Sequence, residues 1–138
     1  MMESHRIHVS SQGRTDIVDI TIKVAEIISK SKIKSGIACV FVVGSTASIS
    51  TLEYEPNLIK DIKRALEKLA PENANYEHHE TWGDDNGSAH VRACLMKPSI
   101  AVPFENKRLL LGTWQQIALL DFDTRPRERE IVVQVVGE

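Results

Sequence analysis

Residues 76 to 90 read Tyr-Glu-His-His-Glu-Thr-Trp-Gly-Asp-Asp-Asn-Gly-Ser-Ala-His, bringing together His78, His79 and His90 with Glu77, Glu80, Asp84, Asp85, the Asn86 amide and two turn glycines. Neither a core strand nor a solvated helix needs that mixture, and imidazole beside carboxylate can move protons or ligate a metal. His78 and His90 lie too far apart in sequence to be an i, i+4 pair on one helix. They meet only if the loop folds back, with Asp84 or Asp85 supplying oxygen. A set made of His78, Asp85 and His90 would suit zinc or manganese, whereas the abundance of carboxylate and amide oxygen would suit magnesium, and spacing does not choose between them. The competing reading is a hydrogen-bonded Asp84-Asp85-Asn86-Gly87 turn with the histidines as polar neighbours. His79 is the most expendable of the three.

A second constellation is Arg125, Arg127 and Arg129. Spacing by two turns all three to one side of an extended segment, and planar guanidinium groups bind phosphate oxygens in pairs. Gly44-Ser45-Thr46-Ala47-Ser48 follows an apolar run and offers backbone amides and hydroxyls to an anion, or simply makes a bulge or tight turn. If the arginines face that segment, a phosphate pocket results, with Ser45, Thr46 and Asn86 as further donors. The alternative is that Asp121, Asp123, Glu128 and Glu130 neutralise the arginines in ion pairs. Glu53 and Glu55 are two acids on one extended face, open to being ligands, bases or surface charge. Trp114 and Gln115 offer an aromatic wall and an amide, although a tryptophan is more often core. No serine-hydrolase elbow, Walker loop or dinucleotide fingerprint is present, and neither Cys39 nor Cys94 has an evident base partner.

The elements that must position these groups follow from periodicity. Residues 5 to 11 alternate as a half-buried strand carrying His5 and His8, which read as surface histidines. Ile17, Ile20, Val24, Ile27 and Ile28 predict an amphipathic helix over 16 to 31, held by packing more than by the propensity of its β-branched residues. The continuous apolar run Gly36 to Val43 predicts a central strand covered on both faces, and extended chain follows until Pro56. Leu58, Ile59, Ile62, Ala65, Leu66 and Leu69 form a stripe after Pro56 that predicts a helix ending before Pro71. Residues 71 to 87 form a long polar connection, in which Tyr76 and Trp82 argue against disorder. Ser88 is placed to cap a short helix with Val91, Leu95 and Cys94 facing inward. His90 then lies in its first turn, where the helix dipole favours the neutral imidazole. A hairpin over 99 to 111, a strand over 113 to 122 and a buried strand from Ile131 close the chain.

At 138 residues, 42% hydrophobic and net charge -2, the chain predicts a single domain whose charge gives no reason to expect nucleic acid. No run of 18 apolar residues occurs and no signal core follows Met1, so neither a membrane span nor export is expected; two apolar-flanked cysteines fit a reducing, cytoplasmic setting.

Several of these segments, in order, carry a resemblance. Gly44 to Ser48 with Glu53-Tyr54-Glu55-Pro56, Tyr76-Glu77-His78, Asp84 to His90, Val102-Pro103, Leu111-Gly112-Thr113-Trp114-Gln115 and Arg127-Glu128-Arg129 resemble the YjbQ-like family, also called the secondary thiamine-phosphate synthase family, from about residue 6 to the end. The resemblance implies an α+β domain, mainly antiparallel sheet or sandwich with two longer helices and one short helix. It also implies a homotrimer with sites near subunit boundaries. The activity it implies is a weak synthase that joins hydroxymethylpyrimidine diphosphate to thiazole phosphate with release of diphosphate. His78, Asp85 and His90 match the family's polar motif, Glu53 its acidic residue, and Gln115 and Arg129 its later positions; His78, His90, Asp85 and Glu53 are the catalytic candidates, and a divalent metal, magnesium or zinc, is expected on His78, Asp85 and His90. The other readings are a metal-dependent hydrolase of a small phosphorylated substrate and a non-catalytic trimeric ligand-binding protein. Many members carry a histidine where this chain has Gly44.

Overall fold

The computed structural model describes residues 1–138. Its elements run β1 Met2–Ser11, β2 Asp16–Asp19, α1 Thr21–Lys30, β3 Gly36–Val42, β4 Ala47–Leu52, α2 Pro56–Leu69, α3 His79–Trp82, α4 Gly87–Met96, β5 Ser99–Glu105, β6 Arg108–Leu109, β7 Gln116–Asp121 and β8 Arg127–Gly137. All strand pairs are antiparallel, in one sheet ordered β1-β8-β3-β5-β6 and a second ordered β2-β7-β4. The chain is α+β, as expected, though with a fourth helix, the one-turn α3, and with α4 as long as α1.

Two apolar clusters set the layering. Val40, Val42, Ile131 and Val133 of the large sheet meet Ile49, Ile117 and Leu119 of the small sheet, and Ile20, just before α1, with Val24 and Ile28 of α1 complete that core. The opposite side of the small sheet carries Ile17, Ala118 and Leu120, which pack with Leu66 of α2 and with Ala89 and Ala93 of α4. The order is therefore large sheet, small sheet, then α2 and α4, with α1 closing the core between the sheets. Within this chain the outer face of the large sheet has no cover.

Several local expectations change. Residues 16 to 19 are strand, because Ile17 and Val18 pair with Leu120 and Leu119 of β7 and Ile17 fills the helix-side core. The helix begins only at Thr21, whose N–H donates to Asp19 Oδ1 at 2.9 Å. β3 is central but alternates, with Ile37 53% and Phe41 39% exposed, so its continuous apolar run is covered on one face only. In α4 the inward residues are Ala89, Arg92 and Ala93, whereas Val91, Cys94 and Leu95 are exposed. Small side chains let this helix lie close on the small sheet. Arg92 instead pins the layer: Nε donates to Ala70 O, Nη1 to Thr15 and Nη2 to Glu67. Ser88 is buried inside the helix, and Asn86 holds the cap position without a side-chain capping bond. Trp114 is exposed, not core.

Candidate functional site

The chain crosses between the sheets three times at the same end of the molecule: residues 12 to 15 join β1 to β2, and two further crossings frame the site. Gly44 to Thr46 carries β3 of the large sheet into β4 of the small one, and Phe122 to Pro126 carries β7 back into β8. Phe122 N–H donates to Thr46 O at 3.0 Å, tying the crossings together. The amino end of α4 and the loop before it lie over them.

Between the crossings sits a buried ionic cluster. Arg129 is 6% exposed and clasps the fully buried Asp121 with two bonds, Nε to Oδ2 at 2.6 Å and Nη2 to Oδ1 at 2.7 Å. Its Nη2 also donates to Thr46 Oγ1 at 2.7 Å, and the Thr46 hydroxyl donates to Asp123 Oδ2 at 2.9 Å. Arg127 meets the same Asp123 oxygen through Nε at 2.9 Å and Nη2 at 2.8 Å. Burial pushes the Asp123 carboxyl up, but the Thr124 N–H, the Thr46 hydroxyl and Arg127 outweigh it and leave it below its ordinary value. Two guanidinium groups are thus matched by two carboxylates, and Thr46 is committed to holding them. Arg125 is exposed and takes no part, so the expected trio is a pair.

The pairing is incomplete on one side. Arg129 Nη1 lies 2.8 Å from where a Cβ on Gly44 would stand, facing a cavity of about 290 Å³ lined by Gly44, Ser45, Thr46, Asn86, His90, Asp123, Arg127 and Arg129. Its lining has no apolar residue. Asn86 is 5% exposed and its Oδ1 is buried without a partner.

His78 and His90 do come together, as the folded-back loop requires: their ring centroids are 4.5 Å apart, with planes tilted by 60°. Burial holds the His90 imidazole below its ordinary value, and the neighbouring His78 adds to this, against a weaker opposite pull from Asp84 and Asp123. His90 is therefore neutral at pH 7. His78 Nε2 is buried with no partner, the second orphaned polar atom in this corner.

Asp85 does not join them. Its carboxylate is turned to solvent and meets His79 Nδ1 at 3.3 Å. His79, read as expendable, is the residue that fastens the loop: its Nε2 accepts the Gly87 N–H at 3.2 Å and its ring stands edge-on to Tyr76 at 5.5 Å. Because Nε2 accepts, the ring proton is on Nδ1 and points at Asp85. Sequence spacing carried no sign of this, since its partners are a main-chain N–H and a ring.

Glu53 and Gln115 lie elsewhere. Gln116 pairs with Leu52 at the far end of β4, so these residues are a strand length, roughly 20 Å at the rise of an extended chain, from Thr46. Gln115 is committed there, donating to Thr51 Oγ1 at 3.1 Å and accepting the Gly112 N–H at 3.0 Å. Glu53 is exposed; Glu55 caps α2, accepting the Asn57 and Leu58 N–H groups.

A metal would need a converging set of donors. No group of three or more histidine, cysteine, aspartate or glutamate side chains is disposed to hold one. His78 and His90 give two imidazoles, and a catalytic zinc takes three protein ligands. Nor does residue 44 supply an imidazole here. The chain by itself does not fit the group.

Residues 5–138 match the profile described as UPF0047 protein YjbQ-like. The chain belongs to the YjbQ-like UPF0047 family. A UPF0047 protein of Methanothermobacter thermautotrophicus is 39% identical over 135 residues, 98% of this chain and 92% of the relative. One from Methanocaldococcus jannaschii is 36% identical over 134 residues, 96% of this chain and 94% of the relative. Among solved structures, a YbjQ-like protein of unknown function from Sulfolobus solfataricus aligns over 100% of both chains at 33% identity and TM-score 0.89. A hypothetical protein from Aeropyrum pernix aligns over 99% of both at 31% identity and TM-score 0.91. The YjbQ-like fold inferred from the separated motifs is the fold observed. No helix is long and apolar enough to cross a membrane.

Proposed function

We propose that the cleft binds the phosphate of a small molecule and that its activity is the thiamine-phosphate synthase reaction implied by the family resemblance. The observation that carries the reading is Arg129, clasped by Asp121 through Nε and Nη2 while Nη1 is left free beside a cavity with no hydrophobic residue in its lining. A guanidinium so braced is fixed before any ligand arrives, which is the condition for stabilising charge without reorganisation.

In that reaction the thiazole nitrogen attacks the pyrimidine methylene with its lone pair, the carbon–oxygen bond breaks and diphosphate leaves with the bonding electrons. The nitrogen ends as a quaternary cation, so the step requires no base. It requires stabilisation of the departing diphosphate, a role that this reading gives to Arg129, Arg127, the Ser45 hydroxyl and the Asn86 amide, all of which line the cavity. The neutral His90 imidazole offers one further N–H beside the leaving group.

The cluster's own charges cancel, so anion binding depends on directed donors and is modest. Glu53 and Gln115 are too far away to serve the same cleft within one chain. If they contribute, they come from a neighbouring copy of a homotrimer.

The experiment is to incubate purified protein with hydroxymethylpyrimidine diphosphate and thiazole phosphate and measure thiamine phosphate. Arg129→Lys, which keeps the charge but lacks the fork, and His90→Gln serve as comparisons. We expect Arg129→Lys to reduce the rate at least tenfold and His90→Gln less. Product formation equal in all three would refute the reading, and phosphate binding without turnover would favour a non-catalytic ligand-binding protein.

A further inference from the structure

A second cavity of about 330 Å³ adjoins the polar one and shares Gly44, Ser45 and His90 with it. Its remaining lining is Ala47, Ala93, Cys94 and Pro98. The two cavities therefore meet along three residues, with donors on one side and small apolar groups on the other.

Gly44 stands at the junction. Its φ of +140° lies where side chains are strained, and a Cβ there would come within 2.8 Å of Arg129 Nη1. Any side chain would press on Arg129 Nη1, the nitrogen of that guanidinium left free by Asp121 and Thr46, and would project into the passage between the two. Cys94 follows His90 by four residues, so both lie on the same face of α4 and its thiol sits at the apolar end of the cleft.

We infer that Gly44 is a specificity-determining residue: by lacking a side chain it joins the two cavities. The protein thus selects phosphate monoesters with a compact, uncharged apolar body over phosphate itself. The phosphate lies with Arg127 and Arg129, the ester oxygen passes Gly44, and the body rests on Ala47, Ala93 and Cys94. This rests on the phosphate reading above and adds the part of the ligand that the arginines do not see. Small side chains make the apolar side shallow, so it takes a single ring and not a nucleoside.

The test uses inorganic phosphate and phenyl phosphate as probes, with calorimetric titration and alkylation of Cys94 by iodoacetamide followed by mass spectrometry. N-acetylcysteine added to the same reaction is the reference thiol. Phenyl phosphate is expected to bind at least tenfold more tightly than inorganic phosphate and to slow Cys94 alkylation several-fold without changing that of the reference thiol. Inorganic phosphate leaves Cys94 unprotected. Cys94→Phe, which fills the apolar end, brings the two affinities within a factor of about two; Gly44→Ala does the same, and its fold is checked by circular dichroism. Equal wild-type affinities, or an unprotected Cys94 under saturating phenyl phosphate, overturn this inference while leaving the phosphate reading intact. Failure of both probes to bind overturns that reading and this inference with it.

Discussion

At Arg129 stability and function pull on the same side chain. Taking a guanidinium and two carboxylates out of water is costly, and the cluster survives because each charge is matched at hydrogen-bonding distance. Arg129→Ala would leave Asp121 charged, buried and unpaired, a loss of about 3–5 kcal/mol. Urea unfolding should show the midpoint falling sharply at unchanged slope, and a midpoint within error of wild type would mean that the clasp is not formed. The histidine pair makes a subtler prediction. With the folded His90 value below the ordinary 6.5, the unfolded chain takes up a proton that the folded chain resists. The resulting stability is present above 6.5 and is lost as pH falls from there towards the folded value. His78→Gln removes the second of the two causes and leaves burial, so His90 should titrate at higher pH and the stability loss should shrink. Imidazole NMR titration reads the first and denaturation at stepped pH the second; an unmoved His90 would show that His78 exerts no field on it.

The loop and α4 are held as one unit by contacts that leave little freedom. A Cβ on Gly87 would stand 2.5 Å from Tyr76 Cβ and 3.1 Å from His79 Nε2, so the glycine is what lets the loop close on the helix. Gly87→Ala should cost about 1–3 kcal/mol through overpacking. It should also separate the histidine rings, seen as loss of ring-to-ring contacts in NMR; retention of those contacts would show that the loop docks without it. Such elements also mark what sequence could reveal. The α2 stripe and the β8 run were legible because each presents one face to one core. The strand over Asp16–Asp19 was not, because Ile17 and Ile20 fit a helical stripe equally well while serving two different cores. The inward face of α4 was missed for the opposite reason: its packing residues are alanines and an arginine, which carry no hydrophobic period. In the site, the residue types left the meeting of His78 with His90 as one of two readings, conditional on the loop folding back. The role of His79 was not legible, since its partners are a main-chain N–H and an edge-on ring.

The whole molecule is layered asymmetrically, and that asymmetry has a consequence for assembly. Helices α2 and α4 cover the small sheet, but the large sheet turns Ile37, Phe41 and Val136 to solvent around Cys39 and Gln134. The apolar run of β3, with hydrophobic residues on both faces, is the pattern of a strand buried on both sides, and only one side is buried by its own chain. A contiguous patch of this kind marks an interaction surface. With the homotrimer proposed above, the same face offers the burial that the monomer lacks, and association would give Glu53 and Gln115 a route to another copy's cleft. Light scattering on size-exclusion eluates should return three times the 15.5 kDa chain mass. Phe41→Asp places a charge at the middle of the patch, points away from the core and should dissociate the assembly while circular dichroism stays unchanged. If this variant elutes as the wild type does, the face is not the contact; if the wild type is a monomer, each cleft must work with the residues of one chain. In that case Glu53→Gln should leave thiamine-phosphate formation unaltered, whereas in the trimer it should lower it.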